Sequence, residues 1–479
     1  MKKVFALLIA LIMMISTTAA FAEETPPSGG TPPTGEMGTP PDGFGGGTPP
    51  GGEMGTPPDG FGGGFGGGTP PGAQSSSFEY AAATEITETA SEDGAAYSSE
   101  AVDESALIVN TTEAVSLANI SVNKTGDSNG GDNCNFYGLN AALLVMGGST
   151  TTISKAAIET SASGANGVFS YGGNGGRNGA TGDGTTVIIS DSTITTTGDG
   201  SGGIMTTGGG ITYASNLTVE TSGRSSAAIR TDRGGGTVVV DGGSYTSNGL
   251  GSPAIYSTAD ITVSKATLTS NLSEGVCIEG KNSITLIDCD LTANNTSMNG
   301  NATFLDTIMI YQSMSGDADS GISSFTMSGG RLTSLSGHMF HVTNTNAVIN
   351  LSGVTLNNEG SDILLSVCDD GWSGASNIAT LNADGQTLQG TMLVGSDSTL
   401  TLTLMNGSTF EGTISGEITN AKGNAVSSEI GTVNVTLDAN STWTLTADTY
   451  VTSFSGNAEN VISNSYTLYV GGTALTGTK

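Results

Sequence analysis

The side chains that could do chemistry lie mainly between residues 224 and 341. Arg224, Arg230 and Arg233 fall within ten positions, although the whole chain has only 13 lysines and arginines. Arginine pairs with carboxylates through two hydrogen bonds, and lysine pairs with them as a point charge. Tyrosine rings offer flat apolar faces on which a pyranose ring can stack. Where these side chains share one surface, they suit recognition of a sugar chain.

One spacing rule predicts that surface. Several strand-like segments have an inward apolar residue followed by a residue that should point outward, because neighbouring residues of a strand face opposite sides. The outward residues are Arg230, Tyr256, Glu279, Tyr311 and His341. Asp232, Arg233, Lys281 and Gln312 flank them. We therefore predict a ligand-binding stripe made of Arg230, Asp232, Arg233, Tyr256, Glu279, Lys281, Tyr311 and Gln312.

Catalysis by the same stripe is an alternative. A lyase acting on uronates needs a base and a cation, for which Arg230, Lys281 and His341 have suitable side chains. A hydrolase needs two carboxylates on opposite sides of the bond that it cleaves. Only Glu279 and Asp232 qualify in the stripe. They lie two coils apart, so we expect their carboxylates to be separated by roughly 9.6 Å. The plainer interpretation is that Arg230 pairs with Asp232 or Glu279, and Lys281 with Glu279, which contributes roughly 0–1 kcal/mol per pair.

Metal binding has weaker signals. Asp317 with Asp319, and Asp369 with Asp370, are loop carboxylate pairs that suit a hard cation, so Ca²⁺ is retained as a candidate cofactor. Neither pair fits an EF-hand or a nonapeptide repeat. His338 and His341 have a spacing that would suit a metal on a helix but not on a strand.

The cysteines are Cys134, Cys277, Cys289 and Cys368. Because they lack C-x-x-C spacing, they predict mostly buried free thiols, with room for one disulfide.

An internal repeat defines the elements that must position these residues. Three apolar positions recur with spacing two and then five. The triplets are Val187/Ile189/Ile194, Val238/Val240/Tyr245, Ile261/Val263/Leu268, Ile284/Leu286/Leu291, Phe325/Met327/Leu332 and Ile349/Leu351/Leu356. Short strands at a fixed period, separated by Gly/Asn/Asp/Ser-rich corners, indicate coils that stack and bury one aliphatic column.

A second apolar position follows each triplet by about ten residues and is also predicted to point inward. Its members are Leu144, Phe169, Ile204, Ile229, Ile255, Ile278, Ile310, Phe340 and Leu365. Extra residues at about 292–307, 313–323 and 171–184 should stand as walls beside the outward stripe. The prediction is an all-β, right-handed parallel β-helix.

This coil pattern, over roughly residues 100–479, resembles the pectate-lyase-like superfamily of β-helices. It is similar in particular to secreted β-helical carbohydrate-binding and adhesin proteins of Gram-positive anaerobic bacteria. The resemblance implies the fold. It leaves function open among binding proteins, lyases and hydrolases, because such folds host many activities. The aspartate set of polygalacturonases and the calcium triad of pectate lyases have no residue-by-residue match here.

The rest of the chain predicts export. Residues 1–22 resemble a secretory signal peptide, and the apolar run Val4–Ile15 is shorter than the roughly 20 residues that span a membrane. Residues 23–77 contain twelve of the 13 prolines and predict a disordered spacer. We expect an N-terminal cap at 78–110, regular coils at 111–375, and tapering coils with a cap at 376–479.

The acidic composition disfavours two classes of binding partner. A formal charge of −31 disfavours binding to nucleic acid or anionic lipid. We therefore expect a secreted or cell-surface protein that binds extracellular polysaccharide without catalysis. The alternatives are a lyase acting on acidic glycans and a structural rod of the cell envelope.

Overall fold

The computed structural model describes residues 79–175, 181–298 and 300–479. The predicted signal peptide, the predicted spacer and Phe78 lie outside the described residues.

Nearly all regular structure in the described residues is β-strand. The first strands are β1 (Ala81–Ile86), β2 (Ala90–Asp93), β3 (Ala96–Ser99), β4 (Glu104–Asn110), β5 (Ala114–Ala118), β6 (Ser121–Lys124), β7 (Leu143–Met146), β8 (Thr150–Ser154), β9 (Ala157–Thr160), β10 (Val168–Tyr171), β11 (Thr186–Ser190), β12 (Thr193–Thr196), β13 (Ile204–Thr207) and β14 (Gly210–Thr221). The middle strands are β15 (Ile229–Thr231), β16 (Gly236–Ser247), β17 (Ile255–Ser257), β18 (Asp260–Ser264), β19 (Thr267–Ser270), β20 (Val276–Glu279), β21 (Ser283–Ile287), β22 (Asp290–Ala293), β23 (Asp306–Tyr311), β24 (Ile322–Ser328), β25 (Arg331–Ser334), β26 (His338–Thr343), β27 (Asn346–Ser352), β28 (Thr355–Asn358) and β29 (Ile363–Val367). The last strands are β30 (Asn377–Asp384), β31 (Thr387–Val394), β32 (Ser398–Met405), β33 (Thr409–Ser415), β34 (Ile418–Thr419), β35 (Ala425–Ser427), β36 (Thr432–Leu437), β37 (Thr442–Leu445), β38 (Thr449–Val451), β39 (Ser453–Ser455), β40 (Val461–Ile462), β41 (Leu468–Val470) and β42 (Thr473–Ala474). One helical turn, α1 (Asn133–Phe136), and one 3₁₀ turn, Ala458–Asn460, complete the described part.

Two large sheets carry the fold. The first, sheet A, has 15 strands in the order β1-β4-β7-β10-β13-β15-β17-β20-β23-β26-β29-β31-β33-β37-β40. The second, sheet B, has 22 strands in two adjoining columns, which the long strands β14 and β16 run through. Each strand pairs in parallel with the equivalent strand one coil later. This architecture confirms the predicted parallel β-helix.

The repeat positions stack as predicted. Val238, Ile261 and Ile284 occupy the same register in consecutive coils and are at most 1 % exposed. They belong to one hydrophobic core that extends along the described coils. Burying a Val, Leu or Ile side chain fully contributes roughly 1.5–3 kcal/mol, so this column is the main source of stability.

The apolar triplet pattern does not identify one coil of the hydrophobic column. Thr212 lies between Val187 and Val238 in the register of sheet B, with Ala214 two residues later. Thr212 is buried, and its hydroxyl forms a 2.7 Å hydrogen bond with that of Thr206. A threonine can replace valine in the core here because its hydroxyl has a partner.

The inward positions of sheet A were predicted only in part. Ile204, Ile229 and Ile255 do stack, but the next residue in register is Val276 rather than Ile278. Ile278 and Ile310 point inward two positions further along their strands. The register prediction is therefore wrong by two residues in β20 and β23, although the residues are buried as expected. Phe340 and Leu365 lie in register with Ile255, as predicted.

Leu144 and Phe169 correct the prediction in another way. Their neighbours Leu143 and Val168 belong to the main core. Leu144 and Phe169 belong to a separate cluster with Ile108 on the outer side of sheet A. The prediction that they point into the helix is wrong. The apolar runs of β7 and β10 do not alternate with polar residues, so periodicity alone could not choose a face.

The corners between the two columns of sheet B adopt left-handed backbone conformations. The corner residues with positive φ include Asn119, Lys155, Asp191, Asn216, Lys265 and Asp288. Asparagine, aspartate and glycine tolerate this conformation, which explains the repeated short polar residue at the corner. Lys155 and Lys265, both at φ 53°, lack that tolerance.

The two ends of the described part differ in structure. At the N-terminal end, β1, β2 and β3 pair with β4, β5 and β6, so residues 81–99 form the first coil. At the C-terminal end, β41 turns back antiparallel onto β42 beside β38. Trp443 is fully buried near this end and stacks on Phe410.

Candidate functional site

The predicted stripe lies on the outer face of sheet A, but its order differs from the prediction. Arg230 is in register with Tyr256, and Tyr256 with Cys277. Glu279 is in register with Tyr311 instead, two residues further along. The outer column that contains Arg230 thus continues through Cys277 and Met309 to His341 and Ser366.

Loops lie over this column and over the neighbouring pair Glu279 and Tyr311. Tyr256 is 8 % exposed, Tyr311 3 %, and Glu279 and His341 0 %. Ala302 from the 294–305 segment and Trp372 from the 368–376 segment pack with Tyr311 in one apolar cluster. The expectation that the residues at about 292–307 and 313–323 stand as walls beside an open stripe is wrong, because residues from both segments cover Glu279 and Tyr311. The segment at 171–184 includes residues outside the described part, so the expectation for it stays a prediction. The 368–376 segment was not predicted at all.

Glu279 is the centre of a hydrogen-bond network beneath the 312–321 segment. Its Oε2 accepts from the hydroxyls of Tyr256 and Tyr311, at 2.5 and 3.2 Å. Its Oε1 accepts from the hydroxyls of Ser313 and Ser315. Burial raises the pKa of the Glu279 carboxyl, and the hydrogen bonds from Ser313 and Tyr256 oppose that rise. Glu279 therefore holds the start of the 312–321 segment against the sheet.

Two ion pairs hold the rest of that segment. Arg233 donates from Nε and Nη2 to Asp317 Oδ1, at 3.0 and 2.5 Å, and its guanidinium lies 4.1 Å from the Phe136 ring centroid. Lys281 Nζ lies 2.9 Å from Asp319 Oδ2. Lys281 thus pairs with Asp319 rather than with Glu279. These stripe residues fasten a loop of their own chain.

Arg230 is also committed within the chain. Its Nη2 lies 2.6 Å from Asp232 Oδ2, and its Nη1 donates to the Ser225 carbonyl at 3.1 Å. The guanidinium also sits 5.4 Å from the Tyr256 ring centroid. Burial raises the pKa of Asp232, and the Arg230 charge opposes that shift. The plainer interpretation of Arg230 and Asp232 as an internal pair is confirmed.

A histidine–serine relay lies further along the outer column. Ser366 Oγ lies 2.8 Å from His338 Nδ1 and 2.7 Å from His341 Nδ1. His341 Nε2 lies 3.3 Å from Asp370 Oδ2. With a proton on Nε2 facing that carboxylate, His341 Nδ1 accepts from the serine, which in turn accepts from His338.

The relay has the side-chain types of a nucleophilic triad but is sealed. Ser366 and His341 are 0 % exposed, and the Phe304 ring lies 4.8 Å from the His341 ring. Burial, followed by the neighbouring His341, lowers the pKa of His338 to about 3. His338 is therefore neutral across ordinary pH, and the relay serves as a buried polar support.

A pair of acidic side chains lies next to the relay. Glu274 and Asp306 are 2 % and 1 % exposed. Burial is the main cause that raises the pKa of both carboxyls. The acidic neighbours Glu274 and Asp370 raise the pKa of Asp306 further. Sequence reasoning missed this pair, since a buried carboxyl has no distinctive spacing.

The proposed calcium ligands all have internal partners. Asp317 and Asp319 pair with Arg233 and Lys281. Asp369 accepts from the Asn377 side chain, and Asp370 accepts from the backbone of Thr303 and Gly371. The described residues contain no group of three or more His, Cys, Asp or Glu that could hold a metal ion.

The catalytic candidates are similarly constrained. Arg230 has 15 % of its side chain exposed and is paired, while His341 is buried. Lys281 is more open, at 44 %, but lies against Asp319. Asp232 and Glu279, the predicted hydrolase pair, are 3 % and 0 % exposed. All four cysteines are buried free thiols, as expected.

An open cleft lies beside the base of the 312–321 segment. It has a volume of about 180 Å³ and is lined by Gln312, Ser320, Gly321, Asn344, Thr345, Asn346, Ala375, Ser376 and Ile378. Every one of these residues is uncharged. Gln312 is the one member that the sequence predicted as a ligand-binding residue.

The outer face of sheet B carries a second uncharged surface, which we call the polar array. One column of the array contains Thr262, Thr285, Thr326, Asn350, Asn382, Thr403, Thr436 and Ser455. The adjacent column contains Ser283, Ser324, Val348, Thr380, Thr401, Asn434 and Ser453. Asp260, which is in register before Ser283 and accepts a hydrogen bond from it, marks the charged limit of the array. Asn350 donates to Thr326, and Asn382 to Asn350, which holds these side chains in line.

Comparison of the chain with family models, curated proteins and solved structures finds no match. Within the described part, no helix combines the length and apolar character needed to cross a membrane.

Proposed function

We propose that this parallel β-helix is a non-catalytic, secreted or cell-surface protein that binds an uncharged extracellular polysaccharide. The observation that carries the proposal is the polar array. One column presents only hydroxyl and amide groups across eight consecutive strands, and the adjacent column does so across the last seven, with one valine. Asp260 precedes the adjacent column on the first strand, and the remaining positions are uncharged on a chain of charge −31. The resemblance to secreted β-helical carbohydrate-binding proteins agrees with this proposal.

The array suits a hydroxyl-rich polymer. Neighbouring strands of a sheet lie about 4.8 Å apart, so the array offers donors and acceptors at a regular interval. A neutral glycan chain carries hydroxyls at regular intervals and has no charge to be repelled by the acidic surface. Extended concave or flat faces of solenoids are common binding surfaces for long partners.

The charge distribution argues against an acidic glycan. Recognition of uronates by the stripe needs free cations, but Arg230, Arg233 and Lys281 are paired with Asp232, Asp317 and Asp319. Releasing a cation would leave its carboxylate partner unpaired and partly buried, which is costly. The same pairing argues against the lyase alternative, in which Arg230 or Lys281 serves as the base.

The test uses the full mature chain and immobilised neutral and uronate-bearing glycans. The double variant Asn350→Glu/Thr403→Glu places two charges within the array. Its control, Ser116→Glu/Thr152→Glu, adds the same charge to exposed positions on earlier coils of the same face. We expect neutral glycans to bind the wild type and the control, and the array variant to lose most of that binding.

Two other results would contradict the proposal. Selective binding of uronate glycans, with the appearance of unsaturated products that absorb in the ultraviolet, would support the lyase instead. Retention of the protein on cells without affinity for any glycan would support the structural rod.

A further inference from the structure

We propose that the cleft beside the 312–321 segment is a binding subsite for a single uncharged sugar ring. This inference rests on the proposed function and deepens it, because it assigns one ring of the bound chain to a defined place. The cleft lies where sheet A turns into sheet B. At its edge, Asn346 is the first residue of β27 and Ile378 the second residue of β30, two strands of the array sheet.

The size of the cleft fits one ring. Its volume of about 180 Å³ corresponds to roughly six water molecules, at about 30 Å³ each. Pockets that enclose drug-sized ligands are larger, at roughly 300 Å³ and above. The cleft is open on one side, so the ring it holds can remain linked to a longer chain.

The lining matches the two kinds of surface of a sugar. Ile378 and Ala375 supply apolar surface for the ring face. Ser320, Asn346 and Ser376 are exposed, and their side chains make no hydrogen bond to other described residues. These three groups can exchange water for sugar hydroxyls without breaking an internal bond. A charged ligand would find no opposite charge among the lining side chains.

Asn344 builds the cleft by joining its walls. Its Nδ2 donates to the carbonyls of Gln312 and Ser373, at 2.7 and 3.3 Å. Its Oδ1 accepts from the Ala375 backbone at 2.6 Å. Asn344 has a φ of 55°, a left-handed conformation that asparagine tolerates better than most residues. Because both walls are fixed to one side chain, the cleft exists before any ligand arrives.

The amide of Gln312 is also fixed. Its Nε2 donates to the carbonyls of Ser313 and Ala318, each at 3.2 Å, and its Oε1 has no partner among the described residues. Gln312 therefore ties the cleft wall to the 312–321 segment. Asn344 and Gln312 are positioning residues, whereas Ser320, Asn346 and Ser376 are the groups that would contact the sugar.

The experiment measures calorimetric binding of cellohexaose, xylohexaose and mannohexaose to the full mature chain. Asn346→Ala removes one contacting amide, and Ser376→Trp fills the cleft from an exposed position. Asn123→Ala is the matched control, because Asn123 is an exposed strand residue on an early coil. Thermal unfolding of each variant verifies that the fold is retained.

We expect Asn346→Ala to weaken binding of the preferred hexasaccharide by roughly threefold to tenfold. Ser376→Trp should weaken it by more than about tenfold, and Asn123→Ala should leave it unchanged. Wild-type affinity in both cleft variants, with loss in Asn350→Glu/Thr403→Glu, would overturn the subsite but keep the proposed function. No binding of any hexasaccharide to the wild type would overturn both.

Discussion

At the residue scale, the outer face of sheet A shows how buried polar groups are kept in this protein. Glu279, Ser366 and Asp232 are each at most 3 % exposed, and each has polar partners. The partners of Glu279 and Ser366 come from other segments, whereas Asp232 is paired with its chain neighbour Arg230. Burying a polar group without a partner costs free energy. The partners offset that cost here and favour one arrangement of the loops. The charged and hydroxyl side chains thus determine which loop lies where.

The serine of the relay offers a direct test. Ser366→Ala removes the hydroxyl between His338 Nδ1 and His341 Nδ1 and leaves buried ring nitrogens without their partner. We expect the free energy of unfolding to fall by about 2 kcal/mol, measured by urea denaturation. Ser105→Ala is the control, because Ser105 is 1 % exposed and its hydroxyl has no hydrogen-bond partner within the described part of the chain. Equal effects of the two changes would show that the relay adds no stability.

Asp306 gives a prediction about pH. Burial, and then Glu274 and Asp370, raise its pKa well above the ordinary value, and its Oδ1 has no partner among the described residues. The folded protein therefore binds this proton more tightly than the unfolded chain does. The stability that Asp306 contributes is present at pH below its ordinary pKa of 3.8 and is lost as pH rises through the folded value.

Asp306→Asn should remove that loss. We expect the variant to have a higher midpoint of thermal unfolding than the wild type at pH 8, with a smaller difference at pH 4. The neutral histidine His338, whose pKa is lowered to about 3, changes stability in the opposite sense but is common to both proteins. The exposed Asp290→Asn has the same change of charge and serves as the control. A difference that does not vary with pH would refute this account of Asp306.

At the element scale, the corner of each coil sets a conformational demand that two lysines meet poorly. Lys265 has a φ of 53°, and its ammonium lies 3.6 Å from Asp241 in an exposed pair. A left-handed conformation costs an ordinary residue roughly 1–2 kcal/mol, and an exposed pair recovers little of that. We expect Lys265→Asn to stabilise the protein by about 0.5–1 kcal/mol. Lys422→Asn, on an exposed loop without positive φ, should have no such effect in the same urea titration.

The position of the 312–321 segment depends on the ion pairs that Arg233 and Lys281 form with Asp317 and Asp319. Arg233→Gln removes the contacts with Asp317 and with the Phe136 ring. We expect faster amide hydrogen exchange in peptides covering 312–321, and a loss of about 1–2 kcal/mol of stability. Arg331→Gln, an exposed arginine on sheet B, is the control. Unchanged exchange in the segment would mean that Glu279 alone is sufficient to hold it.

The sequence predicted the elements better than their registers. Ile261 and Ile284 could be placed because each triplet contains two spacings, which only one register satisfies. In β20, Val276 and Ile278 both suit an inward position, so an apolar pattern of period two permits a shift of two residues. The covering loops could not be predicted, because Phe304 and Trp372 are single aromatic residues in segments without periodicity. The prediction of an open stripe was wrong because these loops cover it.

At the scale of the whole molecule, a parallel β-helix repeats its surface as well as its core. Equivalent residues of successive coils lie about 4.8 Å apart, so a residue type that recurs at one position forms a line. In the core the line is aliphatic, and on the outer face of sheet B it is the polar array. This repetition lets a chain with few aromatic and basic residues present a long surface of one chemical kind.

Acidic side chains also act at the scale of the whole molecule. At the N-terminal end, Glu92 and Asp93 lie on β2, an outermost strand of the stack, where they oppose pairing with another chain. Over the whole chain, a charge of −31 makes the folded state repel itself. Salt screens exposed charges over a Debye length of about 10 Å at 0.1 M, and affects buried pairs much less.

We therefore expect the midpoint of thermal unfolding to rise by a few degrees as NaCl is increased from 10 to 500 mM. KCl should give the same rise, because the effect depends on ionic strength rather than on binding of one cation. The ion pairs of Arg230 and Arg233 oppose the trend only weakly, since most of each side chain is buried. A midpoint that falls with salt would show that these few pairs, rather than repulsion among the many acidic side chains, dominate the electrostatic contribution to stability.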